Sequence, residues 1–346
     1  MIWRRKSGNR YYQGPVGDHF DGNVFFNPGG RAPRGLADFL RWQFGGGRVP
    51  WPATWPSPFP QAKPDARVEG KGLRVTMIGH ATLLIQLAGV NILTDPVWSQ
   101  RASPFAFAGP KRVNAPGVAF EDLPRIDLVL VTHNHYDHLD VATLARLARD
   151  HDPLIVTALG NDAIIARAVP GARMEALDWG QALEADGITI HAEPTHHWSA
   201  RGVGDRRMAL WASFALVTPA GSIYHVGDTG FHEGINYRKA AEKHGGFRLA
   251  LLPVGAYEPR WFMEAQHQNP EEAVEGMLLA RAAFAAGHHW GTFHLTNEPI
   301  DEPREKLFEA LDARGIARER FRPLQPGESW DVPETTGNEA CAATSD

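Results

Sequence analysis

Four consecutive apolar residues, Leu128-Val129-Leu130-Val131, run straight into Thr132-His133-Asn134-His135-Tyr136-Asp137-His138. An uninterrupted apolar run of this kind suits a strand covered on both faces. Residues 141–149 then repeat apolar side chains at helical spacing, with Asp140 placed to cap the helix. A buried strand, a polar cluster and an amphipathic helix in that order require a layered α/β architecture, because each apolar face needs another layer to cover it. Ionisable groups resist burial unless they are paired or bound to metal. The three histidines and one aspartate between positions 133 and 138 are therefore read as metal ligands rather than as packing.

The same alternation continues on either side. Strands are expected at 73–78, 81–87, 90–94, 154–157, 188–192, 210–217, 222–226 and 249–252. Helices are expected at 270–285, where Pro270 and the acidic pair Glu271 and Glu272 suit a first turn, and at 303–314. Three regions follow: a Pro- and aromatic-rich extension over 1–70, a main α/β domain over 71–333, and a disordered tail over 334–346. The extension holds one short helical pattern at 36–42, and its prolines exclude regular helix around Trp51 and Trp55.

With 43% hydrophobic content in 346 residues the chain can bury a large core. The net charge of −5 argues against a nucleic-acid partner. The only cysteine, Cys341, excludes an internal disulfide and a cysteine metal site, so any ion must be held by histidine and carboxylate. No apolar run approaches the ~20 residues of a membrane span, and no signal peptide follows the basic residues Arg4, Arg5, Lys6 and Arg10, which read as a solvated tail. The expected location is cytoplasmic, with peripheral contact to the inner face of the membrane left open.

On extended backbone, residues two apart face the same side, so His133 and His135 can grip one ion together. The turn into the helix points Asp137 and His138 toward a neighbouring position. One short cluster cannot fill two coordination spheres. Three further groups follow strand-like or helical segments: His196-His197-Trp198, Asp228 within Gly227-Asp228-Thr229-Gly230, and His288-His289-Trp290 after the expected helix. A carboxylate at Asp228 could bridge two ions. The residues alone do not separate the members of either histidine doublet.

At this point the sequence resembles the metallo-β-lactamase fold superfamily. Ile78-Gly79-His80-Ala81-Thr82, Leu93-Thr94-Asp95-Pro96-Val97-Trp98-Ser99 and Gly255-Ala256-Tyr257-Glu258-Pro259-Arg260-Trp261-Phe262-Met263 are similar to N-acyl-phosphatidylethanolamine-hydrolysing phospholipase D and its bacterial relatives. The resemblance covers about residues 70 to 330. It implies a four-layer αββα sandwich and two zinc ions, other divalent metals being possible. By that match His133, His135 and His197 hold the first ion, Asp137, His138 and His289 hold the second, and Asp228 bridges. The implied reaction is phosphodiester hydrolysis of an N-acyl-phosphatidylethanolamine-like phospholipid by a hydroxide between the metals.

Asp137 is the expected catalytic group that orients the attacking water, and His267 a candidate proton donor to the leaving oxygen. Tyr257 and Arg260 are candidates for phosphate contact. Asp95 is a candidate support for a ligand histidine, with a turn role before Pro96 equally open. His80 is expected near the site, and His294 stays open. Trp42, Trp51, Trp55 and Phe59 suit either a membrane interface or a wrap over the domain, and the intervening prolines favour the wrap. Expected partners are a phospholipid or other small phosphodiester and no nucleic acid, with a homodimer open. The same metal site could instead hydrolyse a lactone or amide, since fold does not determine substrate. A di-iron redox centre is disfavoured by Asn134 and Tyr136 where a further carboxylate is wanted.

Overall fold

The computed structural model describes residues 8–335. Two seven-stranded sheets lie at its centre. The first contains β1 (Leu73–Gly79), β2 (Thr82–Leu87), β3 (Val90–Thr94), β4 (Leu128–Val131), β5 (Leu154–Ala158) and β6 (Met174–Leu177), and it is closed at the β1 edge by the last strand, β14 (Ser329–Asp331). The second contains β7 (Ala182–Ala185), β8 (Ile188–Glu193), β9 (Ser213–Val217), β10 (Ile223–His225), β11 (Phe247–Pro253), β12 (Ala282–His288) and β13 (Phe321–Pro323), paired in that order. A core containing Ile85, Leu130, Phe214 and Leu251 fills the space between the sheets.

Helices cover both outer faces. α2 (Val141–Asp150) and α3 (Asn161–Ala168) press Leu144, Leu147 and Ile165 onto Val129, Val131 and Ile155. α4 (Ile235–His244), α6 (Pro270–Leu279) and α7 (Glu302–Ala313) pack on the second sheet through Tyr237, Val274, Met277 and Leu311. The result is the αββα sandwich implied by the resemblance. Asp140 caps α2 as expected, accepting from the Ala142 amide at 3.1 Å. Asn269 and Glu272 form a reciprocal capping box on α6, with Pro270 in the first turn.

The expected helix over 270–285 needs correction. It stops at Leu279, Arg281 takes φ 51°, and residues 282–288 form strand β12 between β11 and β13. The alanine-rich composition favours helix locally, but an open place in the middle of a parallel sheet overrides that weak preference. Small side chains there also let α6 and α7 lie close. The strand expected over 210–217 begins only at Ser213, and α3, α4, β6, β7, β13 and β14 were not anticipated. The three basic residues at 4–6, Cys341 and most of the expected tail lie outside the described residues.

The N-terminal extension follows the domain surface. Trp51 Nε1 donates to the Glu298 carbonyl at 2.9 Å, and the Trp55 amide to the Val113 carbonyl at 2.7 Å. Its helix, α1 (Leu36–Phe44), buries no residue and leaves Leu36, Phe39, Leu40 and Phe44 exposed.

Arg248 on β11 ties the chain ends of the fold together. Its buried guanidinium donates to the carbonyls of Lys71, Ala220, Val332 and Pro333 at 2.6–3.0 Å. Arg248→Ala strands these acceptors and is expected to cost about 2–4 kcal/mol. Urea unfolding followed by tryptophan fluorescence measures the loss.

Candidate metal centre

β1, β3, β4, β8, β10 and β12 all run in the same direction within their sheets, so their C-terminal ends meet at one edge of the sandwich. From those ends come His80, Asp95, the 133–138 segment, His197, Asp228 and His289, respectively. Strands that run the same way thus gather residues as far apart as His80 and His289 into one cluster.

Two adjoining groups result. In the first, His133 Nε2 lies 2.9 Å from His135 Nδ1, and His197 Nε2 lies 3.2 Å from the same atom. In the second, His289 Nε2 is 3.4 Å from Asp137 Oδ2, and His138 Nε2 is 3.7 Å from it. Asp228 Oδ2 sits between the groups, 3.1 Å from His289 Nε2, 3.3 Å from His138 Nε2 and 3.6 Å from His197 Nε2. The residues that the resemblance names as ligands thus lie together, with Asp228 Oδ2 between the two groups. Gly227, φ 65°, brings Asp228 in; a Cβ there would stand 2.8 Å from Thr132 Cγ2.

The donor set fits divalent cations. His138 Nε2, His289 Nε2 and Asp228 Oδ1 are buried and have no hydrogen-bond partner among the described residues. Leaving such atoms unpaired is costly, and nitrogen and oxygen ligands suit zinc. The opposite ring nitrogens of His138, His197 and His133 are held. His138 Nδ1 donates to Asp95 Oδ2 at 2.8 Å, His197 Nδ1 to the Gln266 carbonyl at 3.0 Å, and His133 Nδ1 lies 3.0 Å from Thr132 Oγ1. Each contact leaves Nε2 as the lone-pair nitrogen, the form a metal takes. Asp95 is itself anchored by the Thr132 amide and hydroxyl, both at 2.8 Å.

Neighbouring histidines sort by contact. His196 points away, stacked on His232 at 3.9 Å between centroids, whereas His197 joins the cluster. His288 ends β12 inside the fold, and His289 leaves the strand with φ 66° to reach the site. His80, also left-handed at φ 57°, bonds Asp137 Oδ2 through Nε2 at 3.0 Å. Left-handed non-glycine residues cost roughly 1–3 kcal/mol each, a strain that concentrates at functional sites. His267 Nδ1 lies 3.9 Å from Asp228 Oδ2. His294 stacks on Trp51 at 4.9 Å.

Two expected phosphate contacts are placed elsewhere. The Tyr257 hydroxyl is buried and donates to Glu302 at 2.6 Å. Arg260 spends its guanidinium on both oxygens of Glu272 at 2.8 Å and on the His267 carbonyl at 2.9 Å. Arg260 therefore holds the His267 loop rather than facing the cluster. Thr132 and the Gln266 carbonyl had been assigned no role. Position before His133 pointed to the first; nothing in the sequence pointed to the second.

The sequence profile of the β-lactamase superfamily domain matches residues 90–290, spanning most of this site. Along 275 residues the chain is 42% identical to N-acyl-phosphatidylethanolamine-hydrolyzing phospholipase D 1 of Caenorhabditis elegans, covering 76% of this chain and 77% of that one. The chain belongs to the β-lactamase superfamily, in the branch of these phospholipases. A mitochondrial protein of the same description from Saccharomyces cerevisiae is 34% identical over 67% of this chain and 50% of its own. Among solved structures, an isothiocyanate hydrolase from Delia radicum gut bacteria shares the fold with TM-score 0.59 at 24% identity, covering 75% of this chain and 99% of that one. A metallo hydrolase from Ignicoccus hospitalis does so with TM-score 0.55 at 22% identity, covering 76% and 100%. The chain is a hydrolase of the metallo-β-lactamase fold.

Electrostatics divide the ligands in the ion-free protein. Burial pushes His133 well below the usual histidine range, His135 to about 3 and His197 to about 4, with neighbouring imidazoles adding to the effect at His133 and His135. Burial opposes protonation of His138 and His289 too, but carboxylates outweigh it. Asp228, Asp137 and Asp95 hold His138 well above its usual value, and Asp228 and Asp137 raise His289 to about 9. The sign of the pH effect follows by linkage. Stability from protonated His289 is full below the unfolded value of 6.5 and is lost as pH rises through about 9. The depressed histidines act oppositely, losing stability as pH falls from 6.5 toward about 4. Chelator-treated protein is therefore expected to melt at its highest temperature near pH 6.5, with a fall on both sides, in thermal scans from pH 4 to 9.5.

Proposed function

We propose that the chain is a dinuclear zinc phosphodiesterase of phospholipase D type that hydrolyses N-acyl-phosphatidylethanolamine-like phospholipids. The observation that carries the lipid part is an apolar cavity of about 550 Å³ opening beside the cluster. Phe39, Trp42, Trp198, Val203 and Phe262 line it, together with His135 and His267. Acyl chains need such a surface, whereas a polar metabolite does not. Arg34 and Arg206 also line it and can meet phosphate. The names of the relatives point to the same substrate class.

His133, His135 and His197 would hold one ion, Asp137, His138 and His289 the other, and Asp228 both. Bound zinc supplies Lewis acidity and lowers the pKa of water. The chain supplies placement. Asp137, held by His80, accepts a hydrogen bond from the attacking water and orients it toward phosphorus. His267 is kept neutral by burial. It therefore donates an N–H hydrogen bond to the departing oxygen as the P–O bond breaks, and that oxygen takes its proton from water. The tryptophan and phenylalanine walls keep water from the acyl region.

Among the described residues no helix is long and apolar enough to cross a membrane. We read the exposed α1 face, with Leu36 and Phe39 reaching the cavity, as the contact with the lipid surface. Leu40 and Phe44 lie outside the cavity lining. Leu40→Glu with Phe44→Glu is expected to weaken co-sedimentation with anionic vesicles by about a hundredfold or more, since each buried apolar side chain is worth roughly 1.5–3 kcal/mol and about 1.4 kcal/mol is tenfold. Unchanged sedimentation overturns the contact.

Hydrolysis of N-acyl-phosphatidylethanolamine vesicles, resolved by mass spectrometry, tests the reaction through release of phosphatidic acid. His135→Ala and Asp228→Ala are each expected to lower both metal content and this activity by more than about a hundredfold, beyond what loss of an outer partner costs. Retained phosphodiesterase activity in either variant, or cleavage of lactones alone by the unaltered chain, overturns the proposal.

A further inference from the structure

Behind the ligands lie two histidines with no role in the reaction described above. His225 ends β10 and His288 ends β12, and both are fully buried. His225 pairs in register with Leu251 and Leu251 with Ala286, both members of the core between the sheets. His288 lies two residues beyond Ala286 and so faces the same way. Their rings stand 5.6 Å apart, and none of their four nitrogens has a hydrogen-bond partner among the described residues. A packed core would favour apolar residues at both places, since buried unpaired polar atoms cost about 1–3 kcal/mol each.

Asp95 is the link. Its carboxylate, a pure acceptor, takes the Thr132 amide, the Thr132 hydroxyl and His138 Nδ1, all at 2.8 Å. His225 Nε2 lies 3.5 Å from Asp95 Oδ2, a gap that a small rotation closes. The order is therefore His288, His225, Asp95, His138, running from the inter-sheet core to a ligand nitrogen.

We propose that His225 is a positioning residue for the metal centre: its Nε2–H donates to Asp95 and fixes the carboxylate that in turn fixes the tautomer and direction of His138, with His288 backing the ring of His225. The inference rests on the metal reading given above. Asp95 is already fully buried beside three cationic or donor groups, so one donor fewer leaves an ionised carboxylate less well held. His138, bonded to Asp95 directly, then loses orientation first, whereas His197, held by the Gln266 carbonyl, has no bond to Asp95.

Zinc titration of the chelator-treated full chain by calorimetry, repeated with cobalt for its visible absorption, tests this. The unaltered chain is expected to bind two equivalents. His225→Leu, of similar volume, is expected to bind one of them about tenfold more weakly, with a changed cobalt spectrum, and the other as before. Its ion-free melting temperature should be unchanged or higher, because two unpaired buried nitrogens are gone. His225→Gln, whose amide nitrogen reaches the same oxygen, should recover most of the affinity. Unchanged binding of both equivalents by His225→Leu overturns the proposal, and so does a glutamine variant no better than leucine. A loss of both equivalents with a lower ion-free melting temperature also overturns it, by making the role structural. An unaltered chain that binds no metal overturns the underlying reading, and this inference with it.

Discussion

Three carboxylates, Asp95, Asp137 and Asp228, stand close together at one edge of a two-sheet sandwich, two of them almost fully buried. In a low-dielectric interior such a concentration of negative charge is tolerable only with positive or donor partners on every side. The surrounding histidines answer that demand. Burial and mutual repulsion keep His133, His135 and His197 neutral, while the carboxylates hold protons on His138 and His289. An ion-free centre is thus a compromise, with protons standing where divalent cations would relieve both the anions and the orphaned nitrogens.

The fold is arranged around meeting that demand. Six strands deliver their C-terminal ends to one edge, and each turn there carries a residue of the histidine and aspartate cluster or a neighbour bonded to it. Several of these turns are strained, with left-handed φ at His80, Asp95 and His289. The strain is sustained because the strands beneath are buried on both faces and cannot shift without breaking the inter-sheet core. Rigid strands position the ligands, and looser segments shape what reaches them. α1, the 198–206 loop and the 262–267 segment together make the apolar cavity.

The 133–138 segment was legible because its chemistry is contiguous: ligand residues follow a buried strand directly, and period-two geometry pairs His133 with His135. The doublets were not legible from their residues. Choosing His197 over His196 depends on where β8 ends, and choosing His289 over His288 depends on a strand read as helix. Resemblance supplied both choices. The partners of Tyr257 and Arg260 were not legible either, because sequence lists charges and hydroxyls but not what they bond to. Glu302 and Glu272 had already claimed them.

By itself, the sequence determined the layered α/β class, the metal chemistry of the short cluster and the absence of any cysteine alternative. Local pattern suffices for these, because strand burial, helix caps and ligand type are written in neighbouring residues. Only the tertiary structure decided that Asp228 stands between two groups of histidines, that Arg260 serves the His267 loop, and that an apolar cavity adjoins His135. Those facts depend on residues far apart in the chain meeting at the ends of parallel strands. Their meeting is set by strand order and register, which no local periodicity encodes.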